Sequence, residues 1–405
     1  MPGSSHFFSR PLLAIGLSLA LLGALFLLLP SAQAATDAAA CEDGDQPSGA
    51  IYRICFSDVL PWNRQLVVYA HGYVDPTQPL GLPEDQLSIP GFGTIADIIT
   101  QQRYAFATTS YRRNGLAIQE GIADVLELID IFISKHGMPR RILLIGVSEG
   151  GAVTALAVER HPGIIDGGLA LCGPYGDFQR QVDHFSDFRA VFDYFFPGVM
   201  PPTPIDIPAE LLTAWNTSFY STTLRPVLVN PANALSLTQV LSVTGAPIDP
   251  LAPMASTEAT FERILWYNVF STNDGKAQLG GNPFDNTATV YSGALDDAAL
   301  NAGIFRTAAD LAARATISDD YQTTGRLTVP LITMHTTGDP VVPYEQAQLY
   351  GAKVAAQGSA AFYAHYSVPA YGHCTFTPIS LLGAFADLEG RARFKPEVFL
   401  PVVSR

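Results

Sequence analysis

The sequence predicts an α/β protein in which a mostly parallel sheet is covered by helices on both faces and interrupted by one large insertion. Three observations indicate this architecture. Short, apolar, β-branched segments alternate with helical segments at the spacing of βαβ units. The segment 141–160 has the pattern of a strand, a tight glycine-flanked turn and a helix. The alternation stops at Gly173 and resumes at Val329, about 150 residues later, which is far longer than an ordinary connection.

The N-terminal residues have the pattern of a secretory signal peptide. Arg10 precedes an apolar run from Leu12 to Leu29, and the segment Pro30–Ala34 ends this run with a small-x-small cleavage site. We therefore expect residues 1–34 to be removed and the protein to be secreted or periplasmic. Two alternatives stay open. The run is close to the minimum length of a membrane span, so it could be a retained anchor. Cys41 follows small residues and could instead carry a lipid.

The composition is that of a well-packed globular protein, with 48% hydrophobic and only 15% charged residues. Acidic residues number 37 against 23 basic ones, for a formal net charge of −14. This balance argues against nucleic acid or an anionic membrane surface as a partner. The roughly 370 residues that remain after signal removal exceed what one compact core usually holds. An insertion or second subdomain is therefore expected.

The first half of the core has four predicted strands and two predicted helices between Ile51 and Ile145. The apolar runs indicate strands, and the recurrence of apolar residues every three or four positions indicates the second helix. In chain order these elements are strand 51–56, strand 65–70 ending at His71-Gly72-Tyr73, helix 93–102, strand 104–110, helix 116–135 and strand 141–145.

The second half of the core surrounds the insertion. Predicted elements are a helix from Gly151 to Arg160, strands 168–173 and 329–335, helix 344–356, strand 362–368 and a closing helix 379–391. We therefore divide the chain into a core, residues 35–173 and 326–405, and a cap, residues 174–325. Phe185, Phe188, Phe192 and Phe196 form a helical stripe that we expect to be mainly the cap's own core. The cap as a whole is expected to cover a substrate pocket.

Gly146-Val147-Ser148-Glu149-Gly150 lies between a predicted buried strand and a predicted helix. G-x-S-x-G in this context is typical of a nucleophile elbow. The turn is so tight that glycines two residues before and after the serine are needed to avoid collisions. We expect the turn to present Ser148 Oγ above the edge of the sheet.

Serine needs a general base, and the base needs an orienting carboxylate. Asp339 and His373 each directly follow a predicted parallel strand, so both should reach the same sheet edge as Ser148. Other histidines fit less well: His335 and His365 fall inside strands, His136 and His161 at helix ends, and His184 in the cap, where a surface position is favoured. Asp166, Asp319 and Asp320 precede their strands rather than follow them.

An acyl-transfer intermediate also needs two donors for its oxyanion. The backbone N–H of Glu149, at the start of the helix, should be one of them. The N–H of Tyr73, in the loop after strand 65–70, should be the other, because Gly72 lets this backbone approach closely. We expect His71 to brace that loop. The Glu149 side chain is expected to turn away from Ser148 into the helix start, where a carboxylate suits the helix dipole.

Together, Gly146–Gly150, His71–Tyr73, Asp339 and His373 resemble the α/β-hydrolase superfamily over most of the chain outside the cap. The resemblance implies an eight-stranded, mostly parallel sheet, a cap after the sixth strand, and acyl transfer through Ser148. Cys374, directly after His373, is similar to the arrangement in secreted feruloyl esterases and tannases, where a disulfide ties the histidine loop beside the nucleophile. This sequence departs from them, because Val147 stands where their cysteine precedes the serine.

The four cysteines of an exported chain predict two disulfides, with three possible pairings. We favour Cys41–Cys55, which closes a short loop. The resemblance implies the other pairing, Cys172–Cys374, with Cys172 in the role of the missing cysteine. A zinc site is not expected, because no Cys or His residues lie at ligand spacing within one tight loop.

These observations predict a secreted serine hydrolase that cleaves carboxylic esters through an acyl-enzyme on Ser148. No cofactor or metal is implied. The expected partner is a small-molecule or polymeric ester, with no nucleic acid and no stable membrane association after signal removal. Two alternatives remain open: an exo-acting serine peptidase on the same fold, and a non-catalytic binding protein.

Overall fold

The computed structural model describes residues 39–89 and 91–392. The predicted signal peptide, its cleavage after Ala34 and the alternative of a membrane anchor lie outside these residues. The described residues form one compact unit, which includes both the cap and the sheet. Within the described ranges, no helix is both long enough and apolar enough to cross a membrane.

Eight strands form one sheet, as expected. In chain order they are β1 Ala39–Asp45, β2 Ile51–Ser57, β3 Gln65–Ala70, β4 Ala105–Thr109, β5 Arg141–Val147, β6 Gly167–Leu171, β7 Leu331–Gly338 and β8 Tyr363–Tyr371. Their spatial order is β1-β2-β4-β3-β5-β6-β7-β8. Strand β2 is antiparallel to both neighbours, and β3 to β8 run parallel. A separate small hairpin pairs Ser88–Ile89 with Gly93–Thr94.

Helices cover both faces of the sheet. Those of the core are α1 Ile95–Thr100, α2 Ile118–His136, α3 Glu149–Arg160, α11 Glu345–Ala356 and α12 Pro378–Arg391. The cap contributes α4 Phe178–Phe195, α5 Ala209–Ala214, α6 Arg225–Leu228, α7 Ala234–Thr244, α8 Pro253–Leu279, α9 Asp297–Gly303 and α10 Leu311–Thr316. The first helix is shorter than predicted because Gly93 belongs to the hairpin and Thr94 forms a capping box with Asp97.

The register brings the carboxyl ends of the parallel strands to one edge. Ala70 pairs with Gly146, and Val147 pairs with Leu171. Leu171 in turn pairs with Met334, and Gly338 pairs with Tyr371. The residues that follow β3, β5, β6, β7 and β8 therefore all emerge at the same end of the sheet, which is where ligands bind in open α/β folds.

The cap leaves the core after the sixth strand of the sheet and returns at the seventh. It has its own core, in which Phe188, Phe192 and Phe261 are fully buried and pack edge-on. Phe185 is different: it stacks on Tyr267 and faces the cavity beneath the cap. The predicted stripe of four phenylalanines therefore contributes three residues to the cap's core and one, Phe185, to the cavity wall.

Strand β1 was not predicted, because its sequence is mostly exposed and acidic. It is held at the sheet edge by pairing with β2 and by a disulfide between Cys41 and Cys55, which lie opposite each other in the register. The π-helical segments Trp215–Leu224 and Ile317–Tyr321 in the cap were also not predicted. No periodic pattern in the sequence distinguishes a π-helix from an α-helix.

Candidate active site

Ser148 occupies a sharp turn between strand β5 and helix α3. Its backbone has φ 57° and ψ −121°, a conformation that is strained for a non-glycine residue. A Cβ on Gly146 would lie 1.9 Å from the Gly150 carbonyl oxygen, and a Cβ on Gly150 would lie 2.0 Å from the Ala70 carbonyl oxygen. Both glycines are therefore required by space. The Ser148 N–H donates to the Leu171 carbonyl at 2.9 Å, which ties the turn to strand β6.

The side chains of Ser148, His373 and Asp339 form one continuous hydrogen-bonded chain. His373 Nε2 lies 2.8 Å from Ser148 Oγ, and His373 Nδ1 lies 2.7 Å from Asp339 Oδ2. With the proton on Nδ1 donated to the carboxylate, Nε2 is free to accept the serine proton. Ser148 and His373 are 225 residues apart in the chain, and Asp339 and His373 are 34 apart. The parallel strands bring the three residues together.

Asp339 is almost fully buried, yet it is held in its ionised form. Burial alone opposes ionisation, but the charge and hydrogen bonds of His373 and His335 outweigh it and hold the pKa of Asp339 well below its usual range. Its other oxygen, Oδ1, accepts the backbone N–H groups of Val341 at 2.9 Å and Val342 at 3.0 Å. Residues 339–343, here called the acid loop, thus fold around the carboxylate.

His335 contacts the acid loop from inside the sheet. This residue is fully buried in strand β7, as expected, and its Nε2–H donates to the Val342 carbonyl at 2.9 Å. The same Nε2 lies 3.6 Å from Asp339 Oδ2, and the Tyr175 hydroxyl lies 3.4 Å from Nδ1. Its position within the strand predicted only a packed core histidine with satisfied hydrogen bonds. The contact with the acid loop was not predicted.

The loop after strand β3, residues 71–73 and here called the oxyanion loop, lies against the Ser148 turn. A Cβ on Gly72 would lie 3.2 Å from Ser148 Cβ, so the close approach depends on glycine. Gln86 holds this loop from both sides, since its Oε1 accepts the Gly72 N–H at 2.8 Å and its Nε2 donates to the Tyr73 carbonyl at 3.2 Å. Sequence reasoning missed Gln86, because it lies in a short 3₁₀ helix, Glu84–Gln86, that carries no motif.

His71 braces the oxyanion loop. Its Nδ1–H donates to the Gly72 carbonyl at 2.7 Å, and its ring stacks on Tyr111 with centroids 4.0 Å apart. Burial lowers the pKa of His71, which keeps the ring neutral. The backbone N–H groups of Tyr73 and Glu149 have no acceptor among the described residues. Both residues line the cavity beside Ser148.

A disulfide fixes the loop that carries His373. Cys374 is bonded to Cys172, which directly follows strand β6, with Cα atoms 5.5 Å apart. This is the pairing that the resemblance implied. Both cysteines have a positive φ angle, 45° at Cys172 and 56° at Cys374. The two sulfurs and the His373 ring lie close together in the manner of a metal-ligand set. The disulfide, however, leaves neither sulfur as the thiolate that binds metals.

A mostly apolar cavity of about 110 Å³ opens beside Ser148 between the sheet edge and the cap. Its wall is formed largely by cap helices α4 and α8, the acid loop and the residues before α2. The apolar lining includes Leu116, Ile118, Phe178, Val182, Phe185, Leu279, Phe284, Val341 and Val342. Ser148, Tyr73 and Glu149 line this cavity, whereas His373 is not among the residues that line it.

The cap is hydrogen-bonded to three of the loops that surround Ser148. Tyr73 donates through its hydroxyl to the Phe270 carbonyl of α8 at 3.1 Å. His184, in α4, donates to the Pro340 carbonyl of the acid loop at 2.8 Å. Tyr371, which precedes His373, donates to the Ser256 carbonyl of α8 at 2.9 Å. His184 is therefore half-buried against the acid loop, and the expectation of a surface position was wrong.

Comparison with known proteins identifies similar structures but no similar sequence. No protein-family model matches the chain, and no curated protein sequence matches it. Feruloyl esterase B from Aspergillus oryzae superposes with a TM-score of 0.50 and 14% identity, over 85% of this chain and 79% of that chain. An esterase from Pyrococcus furiosus has a TM-score of 0.45 and 12% identity, over 88% and 92% of the two chains.

An acylaminoacyl peptidase from Pyrococcus horikoshii has a TM-score of 0.45 and 12% identity. That match covers 93% of this chain but only 44% of the longer peptidase. At these identities the likeness concerns the fold.

Proposed function

Because its fold is that of the α/β-hydrolases, we propose that this chain is a serine hydrolase that cleaves carboxylic esters through an acyl-enzyme on Ser148. The observation that carries the proposal is the hydrogen-bonded chain from Ser148 through His373 to Asp339. This hydrogen-bonded chain lies beside an apolar cavity and beside the backbone N–H groups of Tyr73 and Glu149, which have no acceptor among the described residues. Fold alone does not determine function, and this geometry is what favours a serine hydrolase over other proteins with the same fold.

In the first half of the reaction, Ser148 Oγ attacks the ester carbonyl carbon while His373 Nε2 takes the serine proton. The carbonyl electron pair moves to its oxygen, and the N–H groups of Tyr73 and Glu149 stabilise the resulting oxyanion. Asp339 stabilises the imidazolium. As the carbon–oxygen bond breaks, Nε2 gives its proton to the leaving oxygen, and the acyl group stays on Ser148.

In the second half, water attacks the acyl-Ser148 carbonyl and His373 Nε2 takes a proton from that water. Collapse of the second tetrahedral intermediate releases the carboxylic acid and returns the proton to Ser148 Oγ. Because His373 serves the leaving group, the alcohol lies on the imidazole side. We assign the acyl group to the cavity, because Ser148 and the two oxyanion donors line it and His373 does not.

The proposal includes export to an oxidising compartment, that is, secretion or the periplasm. Two disulfides support it, because disulfides persist mainly outside the reducing cytosol. The signal-like N-terminal sequence supports it as well. The strong excess of acidic residues suits a neutral or apolar ester rather than a polyanion.

Labelling with a fluorophosphonate probe tests the nucleophile directly. We expect an adduct on Ser148, mapped by peptide mass, that is absent in Ser148→Ala and retained in Ser221→Ala, a change at an exposed cap serine. Absence of any adduct on folded protein would favour a binding protein instead. Turnover of aminoacyl p-nitroanilides in preference to p-nitrophenyl esters would favour a peptidase.

A further inference from the structure

Glu149 places a buried carboxyl group in the wall of the cavity, directly beside the proposed nucleophile. The residue is only 6% exposed. Its Oε1 accepts the Ala117 backbone N–H at 2.9 Å, whereas its Oε2 has no hydrogen-bond partner among the described residues. The sequence predicted a carboxylate that turns away from Ser148 into the helix start; the burial of this side chain against Ala117 was not predicted.

Glu149 forms no ion pair with any residue that the structure describes. The charged groups that act on it are Asp274 and Glu120, which oppose its ionisation, and Arg113, which favours it but is paired with Asp274. The other titratable groups around it are tyrosines whose pKa values burial raises: Tyr73, Tyr111, Tyr267 and Tyr321. Burial also raises the pKa of Glu149 from 4.5 to about 8, despite the opposing hydrogen bond from Ala117, so the group is a neutral acid at pH 7.

The hydrogen bond from Ala117 decides where the proton resides. Because Oε1 is occupied as an acceptor, the acidic proton of the neutral carboxyl is on Oε2. Oε2 is thus an unpaired donor in a cavity that is otherwise mostly apolar. A donor left unpaired in such surroundings costs free energy, and a ligand that supplies an acceptor there recovers it.

We propose that Glu149 is a specificity-determining residue whose carboxyl group donates, through Oε2, to an uncharged oxygen on the acyl chain of the substrate. The substrate class is then an ester of an oxygen-bearing but otherwise apolar acid, with an ether, hydroxyl or oxo group close to the scissile carbonyl. A position close to the scissile carbonyl is inferred because Glu149 directly follows Ser148 and both residues line the same cavity. This inference rests on the proposed ester hydrolysis at Ser148.

Matched ester pairs test the inference. One pair is p-nitrophenyl butanoate and p-nitrophenyl methoxyacetate, and the other is p-nitrophenyl pentanoate and p-nitrophenyl 3-methoxypropanoate. Each pair differs by one methylene replaced by oxygen. The quantity measured is the ratio of kcat/KM, oxygenated over plain, for the wild type, Glu149→Gln and Glu149→Met. Comparing ratios between proteins cancels the esters' intrinsic reactivities and any general loss from a disturbed Glu149 N–H.

Glutamine imitates the neutral acid, because its carbonyl can accept the Ala117 N–H while its NH₂ donates into the cavity. Methionine keeps the length but removes the donor. We expect at least one pair to show ratios in the wild type and Glu149→Gln that are about 3- to 10-fold higher than in Glu149→Met. Above about pH 8 the wild-type ratio should fall as the carboxyl ionises, whereas the Gln ratio should stay constant. If the Met variant does not fold, this pH comparison decides the question.

Equal ratios in all three proteins for both pairs, with no pH dependence, would overturn the inference while leaving ester hydrolysis in place. Cleavage of alanine p-nitroanilide that is lost in Glu149→Gln would also overturn it, because an ionised carboxylate would then be binding an ammonium group. A wild type that hydrolyses none of the esters and takes no fluorophosphonate label would instead refute the proposed function itself.

Discussion

His335 and His373 both contact the same oxygen of Asp339. His373 Nδ1 lies 2.7 Å from Asp339 Oδ2, and His335 Nε2 lies 3.6 Å from it while donating to the Val342 carbonyl. His335 therefore links the interior of strand β7 to the acid loop. We expect it to position Asp339 rather than to contact substrate, since it is not among the residues that line the cavity.

Replacing His335 should test this positioning role. His335→Leu removes the donor to Val342, so we expect the free energy of unfolding to fall by about 1–3 kcal/mol. We also expect kcat to fall by about 10- to 100-fold with little change in KM, because a displaced acid misorients His373. His335→Gln, which can restore a donor near the Nε2 position, should recover part of kcat. The measurements are chemical denaturation and ester kinetics.

His365→Leu is the matched control, since His365 bonds to Thr333 and Tyr344 rather than to the acid loop. It should lower stability without a comparable loss of kcat. Equal losses of kcat in both leucine variants would argue that His335 contributes only to general stability.

Ser148→Ala should lower kcat by about 10⁴-fold or more, because the nucleophile has no substitute among its neighbours. Ester hydrolysis by purified protein is the measurement, with circular dichroism as the check on folding. Retention of most of the activity would refute the assignment of Ser148 as the nucleophile.

Gln86→Leu should impair the oxyanion loop without removing any catalytic group. Losing both hydrogen bonds to residues 72 and 73 frees the Tyr73 N–H to move. We expect kcat to fall by about 10- to 100-fold, less than the loss of roughly 10²- to 10³-fold seen when an oxyanion donor is deleted. Gln78→Leu, in the same long loop but bonded to Asp75, is the control. An unchanged kcat in Gln86→Leu would show that the oxyanion loop keeps its conformation without the two hydrogen bonds from Gln86.

Removing the Cys172–Cys374 disulfide should affect activity as well as stability. The paired change Cys172→Ser with Cys374→Ser opens a link between residues 202 apart. We expect a loss of about 2–5 kcal/mol in the free energy of unfolding. Because Cys374 directly follows His373, kcat should fall even where the protein stays folded. The matched pair Cys41→Ser with Cys55→Ser should cost stability alone, and equal kcat losses in both pairs would contradict this assignment.

Glu149→Gln should change how stability depends on pH. In the wild type the folded state keeps a proton on Glu149 up to about pH 8, whereas the unfolded chain releases it near pH 4.5. Wild-type stability should therefore fall as pH rises between these values, by about 1.4 kcal/mol per unit relative to the Gln variant. Denaturation at pH 4, 6 and 8 measures this difference. A difference that does not vary with pH would mean that Glu149 is ionised in the folded protein.

The parallel strands and the positions after them could be predicted from sequence, because buried apolar runs and strand-end residues are local features. Ser148, Asp339 and His373 each follow such a run, so their meeting at one edge follows from the topology. The contributions of Gln86 and His335 could not be predicted in the same way. Each of them depends on hydrogen bonds between a side chain and a backbone group that only the folded structure brings together.

The burial of Glu149, and the raised pKa that follows from it, could not be predicted from sequence for a related reason. A helix N-terminus favours a carboxylate by about 0.3–2 kcal/mol, which is what the sequence position indicates. The desolvation that opposes it depends on the cap and on the residues before α2, whose arrangement the local sequence does not specify. Burial outweighs the dipole here.

The hydrogen bonds from Tyr73, His184 and Tyr371 limit how the cap could be replaced by that of another protein with the same fold. A cap transplanted from another enzyme would bring a new cavity wall but would lose its attachments to the oxyanion loop, the acid loop and the residues before His373. Under the proposed function, substrate specificity would therefore depend on the cap and those three loops together. A chimeric protein would need the cap and those three loops from the same parent protein.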